Sequence, residues 1–454
     1  MAHNEVTMKR RTFIKAVAAT AIGFQFVPRH VLGGDGQTPP SRKLNIAAIG
    51  AGGQAGHDLG CMADENIVAI CDVDDKRAEG SFKKFPRAKR FKDFRKMFDE
   101  AGGEIDAVLV GTPDHTHAVA AMAAMQHGKH VYCEKPLAHS IAELRALRKV
   151  AAAKKLITQV GNQGHSSDSI RVFCEWIWDG AIGPVTEVHA GCGAFKDVYC
   201  QIKKMDQVKS ERPTVPKELD WNLWQGPAAE RPYHSAYVPW NWRGWMPYGS
   251  GALGDWVCHV IDPVFWALDL DMPVSIQAET DGYDPEKHAD LYPSGSKITF
   301  QFPAKDKRGP VKLVWYDGQR TIPRPEELDK DRKVVDTGAV VVGERGKIMY
   351  GSHGAGGCRL IPESAMKAYK RPDPKIPRVR GSHQKNWLDA IREGKQAGSP
   401  FEYGGRISEI GLLGVAAIRF TGKKLEYDEQ KMAFTNCSEA NALLRSTYRA
   451  GWSL

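Results

Sequence analysis

The chain has little of what would mark a membrane-spanning, nucleic-acid-binding or disulfide-built protein, and each shortage closes off a class of function. Its N-terminal apolar segment, residues 16 to 27, is shorter than the roughly 20 residues of a comfortable membrane span. Nine cysteines, at 61, 71, 133, 174, 192, 200, 258, 358 and 437, are odd in number and never spaced CxxC. No histidine pair forms HExxH, so no metal site is expected. The cysteines read as core thiols, although Cys192 and Cys200 could pair in an oxidising compartment. The formal charge of +9 is inflated by the first 29 residues, and the remainder carries +5. Its bases are interleaved with acids, which argues against nucleic acid. A length of 454 residues with 42% hydrophobic content suits two globular α/β domains.

What is present is concentrated between residues 44 and 136. Leu44 to Ile49 is a short apolar run, Gly50-Ala51-Gly52-Gly53-Gln54-Ala55-Gly56 follows, and His57-Asp58-Leu59 opens a helical pattern. Gly50 can take the angles of a tight turn, Gly52 lets main-chain amides approach a pyrophosphate, and Ala55 lets the helix pack on the strand. A dianion would sit on that helix N-terminus, with Gly53 and Gln54 beside it. Ile67 to Cys71 is a second strand ending at Asp72, at the spacing of a ribose 2'-hydroxyl partner. Two further runs lead to Thr112-Pro113-Asp114-His115-Thr116-His117 and to Glu134-Lys135-Pro136. All these turns belong on the edge where strand carboxyl ends meet ligands, as in a doubly wound Rossmann domain. Asp72 without an adjacent arginine favours NAD over NADP, although Lys76 and Arg77 are within reach of a 2'-phosphate.

Lys9-Arg10-Arg11-Thr12-Phe13-Ile14-Lys15 and the apolar segment after it have the form of a twin-arginine export signal, so the region 1–33 is expected to direct the protein to the periplasm through that machinery. No small-x-small site follows, so cleavage near residues 30 to 36 and retention as an uncleaved anchor both stay open. Residues 34–43 read as a linker, 44–163 as the nucleotide domain and 164–454 as a second domain. There, Val185 to Ala190, Lys297 to Phe302 and Val311 to Tyr316 alternate with the period of a sheet covered on one face, with shorter strands at 340 to 342 and 347 to 350. Helices near Ser382 to Glu393 and Arg406 to Thr421 are expected to cover that face, leaving the other for subunits to meet as a homo-oligomer. An aromatic-rich insertion over 196 to 250, holding Trp221, Trp224, Trp240, Trp242, Trp245 and Tyr248, suits a carbohydrate pocket, though each ring could simply pin the loop.

A second constellation is Gly254-Asp255-Trp256-Val257-Cys258-His259-Val260-Ile261-Asp262, where helical spacing puts Asp255, His259 and Asp262 on one face. Pro263 predicts that the regular helix starts near 259 to 261, with Asp255 at its edge. An imidazole, with an unperturbed pKa of about 6.5, suits the moving of an alcohol proton, and a nearby carboxylate would orient it. Lys135 would stabilise a developing alkoxide.

Together, Gly50-x-Gly52-x-x-Ala55, Asp72, Thr112 to His117, Glu134-Lys135-Pro136 and Asp255-x-x-x-His259 resemble the Gfo/Idh/MocA family, from about residue 43 onward. The resemblance implies a Rossmann domain followed by an α/β domain with a large, mostly antiparallel sheet. It also implies Lys135 as catalytic lysine, His259 as acid/base with Asp255 as its partner, and Glu134 with Thr112, Pro113 and His117 along the cofactor. Gly161-Asn162-Gln163-Gly164-His165 departs from a Gly-x-Gln-x-Arg form, which suggests His165 in place of an arginine near the substrate. The expected activity is NAD(P)-dependent hydride transfer on a sugar, cyclitol or glycoside hydroxyl. An alternative is glycoside cleavage through transient oxidation and elimination, with Tyr199, His234 or Tyr237 as the extra acid/base. A non-catalytic sugar-binding protein is the third reading.

Overall fold

Between Asn45 and Val160, short apolar runs alternate with amphipathic segments, and a parallel sheet results. The computed structural model describes residue 39 and residues 42 to 454, so the twin-arginine region and most of the linker lie outside the described residues. The strands are β1 (Asn45–Ile49), β2 (Asn66–Cys71), β3 (Lys89–Phe91), β4 (Ala107–Val110), β5 (His130–Cys133) and β6 (Thr158–Val160). Their order is β3-β2-β1-β4-β5-β6, with every neighbouring pair parallel. Five helices connect them: α1 (Gln54–Cys61), α2 (Asp75–Lys84), α3 (Phe94–Ala101), α4 (Asp114–Gln126) and α5 (Ile141–Ala153). Asp74 caps α2, and Ser140 with Glu143 forms a capping box on α5. Strand side chains alternate between two cores: Ala47, Ile49, Val108 and Val110 face one, and Ile46, Ala48, Ala107 and Leu109 the other.

The second sheet holds β7 (Val185–Cys192), β8 (Ser275–Asp281), β9 (Gly295–Phe302), β10 (Val311–Gly318), β11 (Thr337–Gly343), β12 (Gly346–Gly351), β13 (Gly356–Ile361), β14 (Lys424–Asp428) and β15 (Ala433–Phe434). Its order is β13-β12-β11-β7-β10-β9-β8-β14-β15, and β7 with β10 is its one parallel pair. The expectation of one covered face needs correction. Leu313 and Trp315 enter the main core, while Val314 and Tyr316 on the opposite face pack with Ile322 and Leu328 from the loop after β10. That loop carries apolar side chains and covers part of the second face.

Further helices include α6 (Asp168–Trp178), α7 (Gly251–Val260), the short α8 (Asp262–Ala267), α9 (His383–Glu393) and α10 (Phe401–Ile418). Helix α9 was expected on the antiparallel sheet and packs instead on the parallel one. Trp387 joins Ile46, Ala48 and Tyr132, and its Nε1 donates to Ile157 O at 3.2 Å. A parallel sheet needs both faces buried, and α9 completes the face that α1 and α2 cover in part. Helix α10 contacts both β6 and β8, and its Glu409 receives Arg145 of α5. Residues Leu44–Leu454 accordingly form one compact unit. All nine cysteines are free thiols, Cys192 and Cys200 included.

Candidate active site

The carboxyl ends of β1, β2, β4 and β5 open onto one cleft lined by the glycine turn. Gly50, at φ +84°, lies so close to β4 that a Cβ would stand 2.7 Å from Gly111 O, and a Cβ on Gly111 would stand 2.5 Å from Ala55 Cβ. These close approaches seat α1 against the sheet. No side chain caps α1, so its first N–H groups, at Gln54 and Ala55, are left for a ligand. Asp72 ends β2 with both oxygens oriented: Oδ2 accepts from Ala51 N at 2.8 Å and Oδ1 from Asp74 N at 2.9 Å. Burial pushes its pKa up to about 6. The Arg77 guanidinium stands over Gly53, 3.0 Å from where a Cβ would be, and makes no side-chain hydrogen bond or ion pair among the described residues.

Thr112, Pro113, His117 and Glu134 line the far side, whereas His115 is turned away against Trp224 and Tyr248. His117 lies between Pro136 O at 2.7 Å and Thr112 O at 2.8 Å and so ties the two loops together. Glu134 is buried, and its Oε1 and Asp58 Oδ2 are both without a partner in the hydrogen-bond network. Burial, and then the charge of Asp58, push Glu134 well up; burial also raises Asp58, against its hydrogen bonds with Gln54, Gln384 and Glu134. The two carboxyls interact, and a single proton shared between them would give the orphan oxygens a partner.

At the β5 end of the cleft, Lys135 Nζ donates to Asp255 Oδ1. Asp255 Oδ2 accepts from Tyr199 OH at 2.6 Å and from Arg243 Nε at 3.2 Å. Burial alone would push the Asp255 carboxyl up, but Lys135, Arg243 and Tyr199 outweigh it and hold the carboxyl well below the usual range. Burial likewise opposes the Lys135 ammonium, and Asp255 with Glu134 more than restores it. The pair is ionised.

This geometry corrects the expected Asp255–His259 pairing: two cations compensate a buried carboxylate better than an imidazole does. His259 stacks instead on His353, ring centroids 4.2 Å apart, and its buried Nδ1 has no partner. Burial, then the charge of Lys135, drives its pKa well down and keeps the ring neutral. The helix also begins earlier than Pro263 suggested. Helix α7 ends at Val260, and Pro263 sits in the first turn of α8, where its missing N–H costs nothing. Asp262 therefore points away, accepting from Tyr403 OH at 2.6 Å and Asn162 Nδ2 at 3.0 Å and lying 3.0 Å from His165 Nδ1.

His165 is thus in a buried polar cluster, stacked on Trp266, and is absent from the cleft lining, contrary to its expected place near the substrate. Trp242 lines the cleft from a buried aromatic cluster that also holds Tyr237. His234 is buried with Nε2 3.3 Å from Glu211. Of the three extra acid/base candidates, Tyr199 reaches the Lys135 cluster. Arg243, Asp58, His353 and Trp452 were missed. Trp452 lines the cleft beside Phe94, at a centroid distance of 6.0 Å, with the Arg95 guanidinium 4.5 Å from its ring. Arg243 had one sequence signal, a lone cation among tryptophans; the others had none, since their partners are distant in the chain.

The glycine turn, the uncapped α1, the oriented Asp72 and the cleft they line fit a dinucleotide. The model described as the oxidoreductase family, NAD-binding Rossmann fold, matches residues 44–162, and that of the oxidoreductase family, C-terminal alpha/beta domain, matches residues 194–454. Levoglucosan dehydrogenase of Pseudarthrobacter phenanthrenivorans is 28% identical over 233 residues, 49% of this chain and 50% of that protein. Glycosyl hydrolase family 109 protein 2 of Akkermansia muciniphila is 26% identical over 212 residues, 43% of this chain and 44% of its own. The chain spans about half the length of these curated relatives. The crystal structure of the WlbA dehydrogenase from Bordetella pertussis, in complex with NADH and UDP-GlcNAcA, superposes with a TM-score of 0.58 at 16% identity, covering 85% of this chain and 99% of the other. That likeness is one of fold.

Proposed function

The chain belongs to the Gfo/Idh/MocA oxidoreductase family, and from that premise we propose that it is an NAD(P)-dependent oxidoreductase acting on a sugar, cyclitol or glycoside hydroxyl. The observation that carries this is the ionised Lys135–Asp255 pair at the end of a cleft lined by the glycine turn and Asp72. A bound nicotinamide supplies the hydride acceptor. Gly50 to Ala55 and the start of α1 would hold its pyrophosphate, Asp72 would accept from the ribose, and Glu134 with Thr112, Pro113 and His117 would line the other end. Lys135 Nζ donates to the reacting hydroxyl oxygen and stabilises alkoxide character as the C–H bond weakens. Asp255 fixes the ammonium, and Arg243 adds positive charge on the same side. Lys135 is already protonated, so the hydroxyl proton needs another acceptor, and we assign that role to His259, which is neutral, has an unpartnered Nδ1 and feels the Lys135 charge.

Asp72 in the ribose position favours NAD, while Arg77 gives a 2'-phosphate a partner; titration with NAD and NADP separates them. The division at residue 163, export by the twin-arginine route and self-association belong to the same reading. The change from parallel to antiparallel sheet between Val160 and Val185 supports the first of these.

The Akkermansia relative favours a second reading, glycoside cleavage that returns NAD to its starting state, with Tyr199 as the additional acid/base. Release of nitrophenol from a nitrophenyl glycoside without net NADH would identify it, whereas accumulation of NADH identifies the first. Lys135→Ala should abolish turnover in both and leave nucleotide binding in place. Unchanged turnover would sink the assignment of Lys135 in both, whereas a wild-type protein that binds sugar without any turnover would leave the non-catalytic sugar-binding reading in front.

A further inference from the structure

The aromatic insertion divides into two populations with different fates. Trp221, Trp224, Trp242 and Trp245 are buried in one cluster and pin the loop to the domain. Trp240 does not join them: it is 41% exposed, and Phe195 beside it is 51% exposed. Their rings meet edge to face at 6.0 Å, and Phe195 continues to Trp256 at 6.2 Å. Phe195 is held at φ +53°, where a bulky side chain is seldom found, and His353 on the other side of Trp256 is held at φ +57°. An exposed aromatic held in that conformation is positioned rather than merely tolerated.

The wall is joined to the candidate catalytic cluster along two lines. Trp256 Nε1 donates to Tyr199 OH at 2.8 Å, and that hydroxyl donates to Asp255. The Arg243 guanidinium lies 4.4 Å from the Trp240 ring and 4.1 Å from Trp242, and its Nε donates to the same carboxylate. Arg243 Nη2 makes no hydrogen bond among the described residues, which leaves a donor at the rim. Trp240 lines the cleft mouth itself. Flat apolar rings with a free guanidinium N–H beside them match a ring that has an apolar face and a polar edge.

Building on the oxidoreductase reading, we propose that Phe195, Trp240 and Trp256 form a subsite for a second ring, joined by a glycosidic bond to the ring whose hydroxyl reacts at Lys135. The substrate class is then glycosides rather than free monosaccharides, the second ring being another sugar or an aryl aglycone.

The test uses the full chain loaded with NAD(H). For methyl, 4-nitrophenyl and disaccharide glycosides of glucose, galactose and N-acetylglucosamine, kcat/KM and calorimetric Kd are compared between the wild type, Phe195→Ala, Trp240→Ala and Trp240→Phe. Retained nucleotide reports folding of each variant. The expected result is a preference for two-ring over one-ring probes that falls by about tenfold in each alanine variant and is largely kept by Trp240→Phe. Preference for the disaccharide identifies a sugar as the second ring, and preference for the nitrophenyl glycoside identifies an aglycone. If methyl glycosides react and the ratio is indifferent to both positions, the subsite is overturned and the oxidoreductase reading stands. If no probe binds or reacts, both fall. A change of mass in solution in the alanine variants would make the wall a subunit contact and overturn the subsite alone.

Discussion

Replacing Asp255 by Asn leaves two buried cations with no anion between them. The side chains of Lys135, Asp255 and Arg243 are 13%, 11% and 16% exposed, so solvent screens little of what is lost. Removing one member of a buried ion pair costs about 3–5 kcal/mol, because the remaining charge is stranded. Asparagine keeps an oxygen to accept from one donor and turns an amide N–H₂ toward another, so Asp255→Asn should lose roughly that amount at pH 7. The pH dependence follows from the sign of the shift. The folded carboxyl is held below its unfolded value, so its contribution is fully present above about pH 4 and is lost as pH falls toward the folded pKa. The difference between wild type and variant should therefore be constant from pH 5 to 8, on the order of the value above, and should shrink below about pH 4. Urea unfolding followed by tryptophan fluorescence across that range measures it. A variant within about 1 kcal/mol of wild type at pH 7 would mean that the pair is screened like a surface salt bridge, and would refute the reasoning.

Other outcomes follow from the same geometry. Asp72 protonates as pH falls through about 6, and a protonated oxygen no longer accepts well from both Ala51 N or Asp74 N and the ribose, so calorimetric affinity for NAD should weaken progressively below that pH. Gly161→Ala puts a Cβ 2.1 Å from Glu134 Oε1; a destabilisation of about 1–3 kcal/mol is expected, with weaker nucleotide retention, measured by thermal unfolding and by mass spectrometry of released nucleotide. Trp452→Ala removes a ring from the cleft beside Phe94 and should raise the NAD dissociation rate by roughly two- to tenfold in stopped-flow displacement.

Local patterns in the chain carried most of the first sheet. Gly50 to Ala55, Asp72, Thr112 and Glu134 each follow a short strand, and the strand order brings their turns to one edge, so this side of the cleft was legible without long-range information. The Lys135–Asp255 contact was not, because it joins residues 120 positions apart, and helical spacing alone offered His259 as the nearer partner. The same limit misplaced α9, whose amphipathic pattern shows that it has a buried face but not which sheet receives it. His165 reads as a site residue from its motif, but its partner Asp262 lies on α8, behind the break that Pro263 permits. The tryptophans of the insertion were indistinguishable by type, and packing alone separated the pins from Trp240.

The central claim, hydride transfer from a sugar-type hydroxyl aided by Lys135, is tested most directly with substrates deuterated at the carbon bearing that hydroxyl. After incubation with the full chain, released nucleotide is analysed by mass spectrometry. Deuterium on the nicotinamide ring with the wild type and none with Lys135→Ala is the predicted result. Wild-type protein that binds nucleotide and sugar yet transfers no deuterium, or a Lys135→Ala variant that transfers it equally well, would contradict the account.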